Sequence, residues 1–305
     1  MKKILVVGSI NTDLVLEMPR MPERGESLLC KQHFYSVGGK GSNAAVAAAR
    51  LGAKTAFSGQ LGDDAQGENL RRCLVAEGVD DSRLITLTDC ASGLAVIFLE
   101  DDGYNRIAVY AQANMVEREK GWTEKLGDDW DAVMLQLEIP VQAVIDTVLW
   151  AMDKKIPVVL DAGPAQDFPL EKIRGLDILS PNETETQALC GVLPDSEESA
   201  KEACRLLRER SGAKNIVLKM GDKGCMADNG TECRMIPAFK ISPVDTTAAG
   251  DSFTGAMTLR FLECGDLFEA ARFGNAAGAL TALGKGAMPS LPTRDKVEQF
   301  LKERG

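Results

Sequence analysis

Short apolar runs of strand length alternate with helical patterns along most of the chain, which predicts a parallel, doubly wound α/β sheet. Residues 3–10, Lys-Ile-Leu-Val-Val-Gly-Ser-Ile, read as a buried first strand. Ala44 to Leu51 is an alanine-rich helix stopped by Gly52. A strand at 55–59 follows, then a helix at 65–77 closed by Gly78. Ala132–Leu137 reads as a strand and 141–154 as a helix, with Pro140 at its start, where a missing N–H is harmless. Ile156–Asp161, Ile178–Ser180 and 215–220 are strands, and 197–211 is a helix. The last third holds helices at 250–263, 267–282 and 293–303.

Two segments break the alternation. Residues 14–38 alternate apolar and polar positions and carry Pro19, Pro22 and Gly25. Residues 93–110 read as a hairpin around the turn Asp101-Asp102-Gly103. They predict a small sheet outside the main one, or two loops with edge strands.

Charge and composition narrow the function. The 305 residues include 45 acidic and 35 basic side chains, a net charge of −10, which opposes sequence-independent nucleic-acid binding. No stretch approaches the roughly 18 apolar residues of a membrane helix, and the N-terminal apolar run is too short for a signal peptide. Eight cysteines without C-x-x-C spacing suggest reduced thiols in a cytoplasmic protein. The one histidine, His33, argues against structural zinc and against Ser-His-Asp or Cys-His catalysis. A carboxylate is the expected general base.

Four constellations carry chemistry. Gly38-Gly39-Lys40-Gly41-Ser42-Asn43 precedes the alanine-rich helix, where glycines let backbone approach a ligand and a helix N-terminus offers N–H donors. It matches neither a Walker A loop nor a dinucleotide fingerprint, and it serves equally as a glycine-rich turn feeding a helix. Asn11-Thr12-Asp13 follows the first strand, where open α/β sheets bind ligands. Pro181-Asn182-Glu183-Thr184-Glu185 places Asn182 and Glu185 on one face of a first turn, suited to hydrated Mg²⁺ or simply to capping a helix. Strongest is Val244 to Ala256, where small residues lead through Gly250-Asp251 into a helix. Such a turn aims backbone N–H groups at an anion, and a carboxylate there suits a base acting beside a transferring phosphoryl group.

These motifs together resemble the ribokinase family of sugar and nucleoside kinases, also called the PfkB family. Gly38 to Gly62 and Asp245 to Thr258 are similar to its two signatures. Gly8–Asp13, Leu135–Glu138, Pro181–Glu185 and Lys285–Ser290 extend the resemblance over the whole chain. It implies an α/β kinase domain over 1–13, 39–92 and 111–305, and a β-sheet lid over 14–38 and 93–110, often paired as a homodimer. The implied substrates are D-ribose and ATP, with Mg²⁺ and K⁺, and no nucleic-acid or membrane partner.

By that resemblance Asp251 deprotonates the sugar 5-hydroxyl, and the amides of Ala248, Ala249 and Gly250 stabilise the transferring group. Asn11, Thr12, Asp13, Gly39, Lys40, Gly41, Ser42, Asn43 and Glu138 bind the sugar. ATP lies over Asn182, the segment Lys219-Met220-Gly221-Asp222-Lys223-Gly224, Gly250, Asp251 and Asn275, with Glu185 reaching Mg²⁺ through water. Asp245, Thr247, Thr281, Gly284, Gly286 and Ser290 match a potassium loop. Three positions depart from the family pattern: Ala248 replaces Gly, Lys219 stands where Thr is commoner, and Asn275 where some members have His. The same chemistry on 2-deoxyribose, a ketohexose or a nucleoside, and a non-catalytic ribose sensor, are the competing readings.

Overall fold

The computed structural model describes residues 1–101 and 105–304. The chain opens with β1 (Lys3–Val7), β2 (Asn11–Met18), β3 (Gln32–Gly38), α1 (Lys40–Arg50), β4 (Lys54–Ser58) and β5 (Gln60–Gly62). It continues through α2 (Ala65–Ala76), β6 (Ile85–Leu87), β7 (Gly93–Glu100), β8 (Asn105–Tyr110), β9 (Ala132–Leu135) and α3 (Val141–Asp153). Then come β10 (Val158–Asp161), β11 (Ile178–Ser180), α4 (Glu183–Cys190), α5 (Glu197–Ser211), β12 (Asn215–Lys219), β13 (Gly224–Asp228) and β14 (Cys233–Pro237). Helices α6 (Ala249–Cys264), α7 (Leu267–Ala282), α8 (Ala287–Ser290) and α9 (Arg294–Arg304) close it.

Among the described residues, eight strands form the main sheet in the order β14-β13-β12-β11-β10-β9-β1-β4. Pairing is parallel from β12 to β4 and antiparallel at the β13–β14 end. The central strands are apolar on both faces, as a sheet covered by helices on both sides requires. Ile4, Val6, Met134 and Val159 pack with α1, α6 and α7. Leu5, Val7, Val133 and Leu160 alternate to the other face and pack with α3 and α5.

A second sheet has the order β3-β2-β7-β8. β7 and β8 pair antiparallel, as the hairpin pattern predicts, while β2 lies antiparallel to β3 and parallel to β7. The two irregular segments thus join into one small sheet. The predicted turn residues Asp102 and Gly103 lie outside the described residues.

Two boundaries differ from the sequence reading by three residues or more. The first strand ends at Val7, and Asn11 already belongs to β2 of the smaller sheet. A Cβ at Gly8 would meet Gln136 Oε1 and lie 3.0 Å from the Gly41 Cα, so the chain leaves the main sheet where it packs closely on α1. Helix α1 begins at Lys40 rather than Ala44. A Cβ at Gly41 would lie 2.8 Å from the Ser9 nitrogen, so the glycine sits inside the first helical turn and lets it press on the β1–β2 connection. β13 and β14 were not anticipated.

Candidate active site

The parallel strands end along one edge, and a cleft of about 400 Å³ opens there between that edge and the smaller sheet. Asp251 lines it from the first turn of α6, and the Asp251 side chain is almost wholly buried. Burial raises its pKa above the ordinary carboxylate range, with Asp161 and Glu138 adding to the rise. The Lys40 ammonium and a hydrogen bond from Asn43 pull the other way. Asn43 Nδ2 donates to Asp251 Oδ2 at 2.8 Å, and Lys40 Nζ stands 3.8 Å from Oδ1.

The turn before α6 brings Ala248 and Gly250 to the cleft wall. Ala248 has φ 62°, in the left-handed region that favours glycine. Of the three amides in this turn, that of Ala249 donates to the Thr246 carbonyl at 3.2 Å. Helix first turns leave their N–H groups without intrahelical acceptors, so this end of α6 presents positive character to the cleft.

Glu138 sits at the N-terminus of α1. Its Oε2 accepts from Ser9 Oγ at 2.5 Å and from the Lys40 backbone N–H at 3.3 Å. Lys40 and Gly39 line the cleft beside it. Burial opposes charge on the Lys40 side chain, but Asp251, Asp161, Glu185 and Glu138 surround it and hold its pKa above the usual lysine value. Gly41 and Ser42 are buried behind the wall, where Ser42 Oγ donates to the Gly38 carbonyl at 2.6 Å.

Strand alternation decides which of Asn11, Thr12 and Asp13 faces a ligand. Asn11 and Asp13 line the cleft, whereas Thr12 points oppositely and meets Gln66 Oε1 at 3.2 Å. Burial lifts the Asp13 pKa to about 7, helped by the charges of Glu138, Asp251 and Asp245. Asn114 holds this strand in place. Its Nδ2 donates to Asn11 Oδ1 at 2.8 Å and to the Ile10 carbonyl, and its Oδ1 accepts from the Ile10 N–H at 3.0 Å. Sequence reasoning missed Asn114, because a lone Asn in a segment without periodicity carries no local signal.

Across the cleft from Asn11 and Asp13, Asn182 and Glu185 form a capping box on α4. Asn182 Oδ1 accepts from the Glu185 N–H at 2.9 Å, and Glu185 Oε2 accepts from the Asn182 N–H at 2.7 Å. The capped-helix reading therefore holds, and the same two residues also line the cleft. Burial raises the Glu185 pKa, and Asp161 adds to it against the pull of Lys219 and Lys40.

Lys219 ends β12 and reaches across β11 to Asp161 at the end of β10, with Nζ 2.6 Å from Oδ2. Thr254 Oγ1 of α6 donates to the same oxygen at 2.6 Å. Burial works against the Asp161 charge, but Lys219 and Lys40 keep its pKa below the ordinary range. Asp161 escaped the sequence reading, although a charge closing the apolar run Val-Val-Leu-Asp was a usable sign.

Gly221 joins the cleft wall, while Met220 is buried behind it and Asp222, Lys223 and Gly224 complete the turn into β13. Asn275 of α7 is directed elsewhere, donating to the Ile236 and Pro237 carbonyls at 3.1 and 3.2 Å. The structure does not bring it to the cleft. His33 is exposed on β3.

The loop after α7 folds against the start of the anion turn. Asp245 Oδ1 accepts from the Thr247 N–H and hydroxyl, and Oδ2 accepts from the Gly286 N–H at 2.9 Å. Thr281 is buried, donating to Ser252 Oγ at 2.8 Å, and Gly284 packs against Ser290.

A mostly parallel sheet with a cleft at its carboxyl edge, roofed by a small sheet, sets a buried carboxylate beside a helix N-terminus, an arrangement suited to phosphoryl transfer. Comparison with known proteins agrees. The family model described as pfkB family carbohydrate kinase matches residues 1–294. The chain is 36% identical over 306 residues to a ribokinase of Haemophilus influenzae, covering 99% of both chains. It is 30% identical to a deoxyribokinase of Salmonella typhi, covering 98% of both. A solved ribokinase of Arabidopsis thaliana, complexed with ribose and ATP, superposes with a TM-score of 0.87 at 34% identity, covering 99% of each chain. The chain belongs to the pfkB family of carbohydrate kinases.

Proposed function

We propose that the chain transfers the γ-phosphoryl group of ATP to the 5-hydroxyl of D-ribose, giving D-ribose 5-phosphate and ADP. Asp251 carries this reading. It is a buried carboxylate with a raised pKa, held by Asn43 on one side and set in the turn that begins α6. A base so placed takes the proton of an attacking hydroxyl, and phosphoryl transfer otherwise needs positioning and charge stabilisation. Lys40, Lys219 and the N-terminal turn of α6 supply positive character on the phosphate side.

Asn11, Asp13, Asn43 and Glu138 offer the hydrogen-bonding groups that a polyol requires, with Gly39 allowing close backbone approach. From the smaller sheet the wall is aliphatic, made by Ala95, Ile97, Ile107 and Val109. The wall facing the acceptor carries no aromatic residue among those described, so an acceptor bearing a nucleobase would find no stacking partner there, which favours a free sugar. The deoxyribokinase relative supports 2-deoxyribose as the second reading.

The residues fit two metal ions. Glu185 lines the cleft beside Asn182, and a single carboxylate there suits a Mg²⁺ that keeps its waters and leans on Glu185 and the phosphates. That ion supplies charge neutralisation at the phosphates. For K⁺, Asp245, Thr247 and Gly286 border a space of about 10 Å³, roughly that of one water-sized sphere, which Asp13, Val15, Ile97 and Leu99 of the smaller sheet also line. Thr281, Gly284 and Ser290 complete the candidate loop, and the ion would fix the shape of the anion turn. A cytoplasmic homodimer paired through the smaller sheet belongs to the same reading, supported by exposed Tyr35 and Tyr110 on that sheet.

The test is ADP formation with Mg-ATP and potassium, comparing D-ribose with 2-deoxyribose, fructose and adenosine at equal low concentrations. Preference for ribose is the expected outcome. Preference for another acceptor would reassign the pocket, and ribose binding without turnover would make the chain a sensor. A single hydroxyl is enough for strong discrimination when buried groups hydrogen-bond to it.

A further inference from the structure

Among the described ion pairs, Lys219–Asp161 has the most buried side chains. Each of the others leaves at least one side chain more than a quarter exposed, whereas both members of this one are largely buried at the edge of the cleft. Such a pair adds little to stability, because desolvation consumes most of the Coulomb gain. Its geometry suggests another use. Asp161 Oδ2 is shared by Lys219 Nζ and Thr254 Oγ1, both at 2.6 Å, and Thr254 Oγ1 also lies 3.1 Å from the Gly250 carbonyl. One carboxylate oxygen therefore fastens the ammonium of β12 to the first turn of α6. A Cβ built on Gly250 would lie 3.9 Å from Lys219 Nζ, so the cation stands against the turn that receives anions. Asp161 Oδ1 is buried with no hydrogen-bond partner, leaving a negative group whose fit depends on the cations beside it.

We propose that Asp161 is a positioning residue that aims the Lys219 ammonium at the phosphates of the bound nucleotide. The inference rests on the kinase reading above. Lys219 touches the phosphates, and Asp161 acts on nucleotide affinity through Lys219; because Asp161 also raises the Asp251 pKa, the readout is nucleotide binding and not turnover. Its consequence is a selective one: the pair senses phosphate charge and is indifferent to adenosine and to the sugar.

The experiment is titration calorimetry with Mg-ADP and with adenosine, on the wild-type chain, Asp161→Asn, Lys219→Met and the double variant. Melting curves on each check that it folds. The expected result is a loss of roughly tenfold or more in ADP affinity for each single variant, with adenosine affinity unchanged. The double variant, in which no buried charge is left unpaired, should bind ADP as Lys219→Met does, because a residue that works through another adds nothing once that one is gone. Asp161→Asn with unchanged ADP affinity would overturn the assignment. So would equal losses for ADP and adenosine, or additive losses in the double variant. A wild-type chain that binds neither nucleotide would instead sink the kinase reading itself.

Discussion

Asn43 on α1 and Asp251 on α6 lie 208 positions apart, and the Asn43 amide donates to Asp251 Oδ2 at 2.8 Å. The bond stabilises the ionised carboxylate against a burial that favours its neutral form. Asp251→Asn should lower kcat roughly a hundred- to ten-thousand-fold while ribose binding is kept. Near wild-type turnover would refute the base assignment. Because a base works ionised, activity should fall as pH drops through the raised Asp251 pKa. Asn43→Ala should move that acid limb to higher pH, which a pH profile of kcat reads directly.

Asp13 titrates in the folded chain at about 7, against an ordinary 3.8. Between those values the folded form holds a proton that the unfolded chain has lost, so this group's contribution to stability falls as pH rises from about 4 to 7 and then levels off. Asp13→Asn removes that dependence. Melting temperatures over this range should therefore decline less steeply in the variant than in the wild type.

Asn114→Ala would leave the Ile10 N–H buried without its side-chain acceptor and release Asn11. We expect a loss of about 1–3 kcal/mol in urea unfolding, and a weaker KM for ribose with KM for ATP little changed. Stability lost without any change in ribose KM would make Asn114 purely structural.

Ala248 occupies the left-handed region with φ 62°. Ala248→Gly should relieve about 1–2 kcal/mol of backbone strain, visible as a higher denaturation midpoint. No gain would show that the Ala248 methyl makes compensating contacts.

Replacing potassium with tetramethylammonium, too large for the space beside Asp245 and Gly286, should depress turnover. Equal rates in the two salts would remove the ion from that loop.

Strands and helices of the main sheet were legible because burial on both faces leaves long apolar runs, as in Val158–Asp161 and Ile178–Ser180. The α1 start was not, because Gly39 and Gly41 read as loop when their role is close packing on Ser9 and Ile10. Asn11 and Asp13 were visible as candidates, but their division from Thr12 needed the strand's facing. The pairings Asn114–Asn11 and Asp161–Lys219 join residues far apart in the chain, and local pattern does not encode such contacts.

Helix α6 is buried at nine consecutive positions, from Asp251 to Leu259. No face of that stretch is free to vary without disturbing either α1 or α7, against which the helix packs. Change in what the protein accepts must then arise elsewhere, and the place with latitude is the aliphatic roof of Ala95, Ile97, Ile107 and Val109. Two of these, Ile107 and Val109, are about half exposed. The fold keeps its chemistry in an immovable part and its selectivity in a replaceable one, so acceptor preference can drift while phosphoryl transfer is conserved.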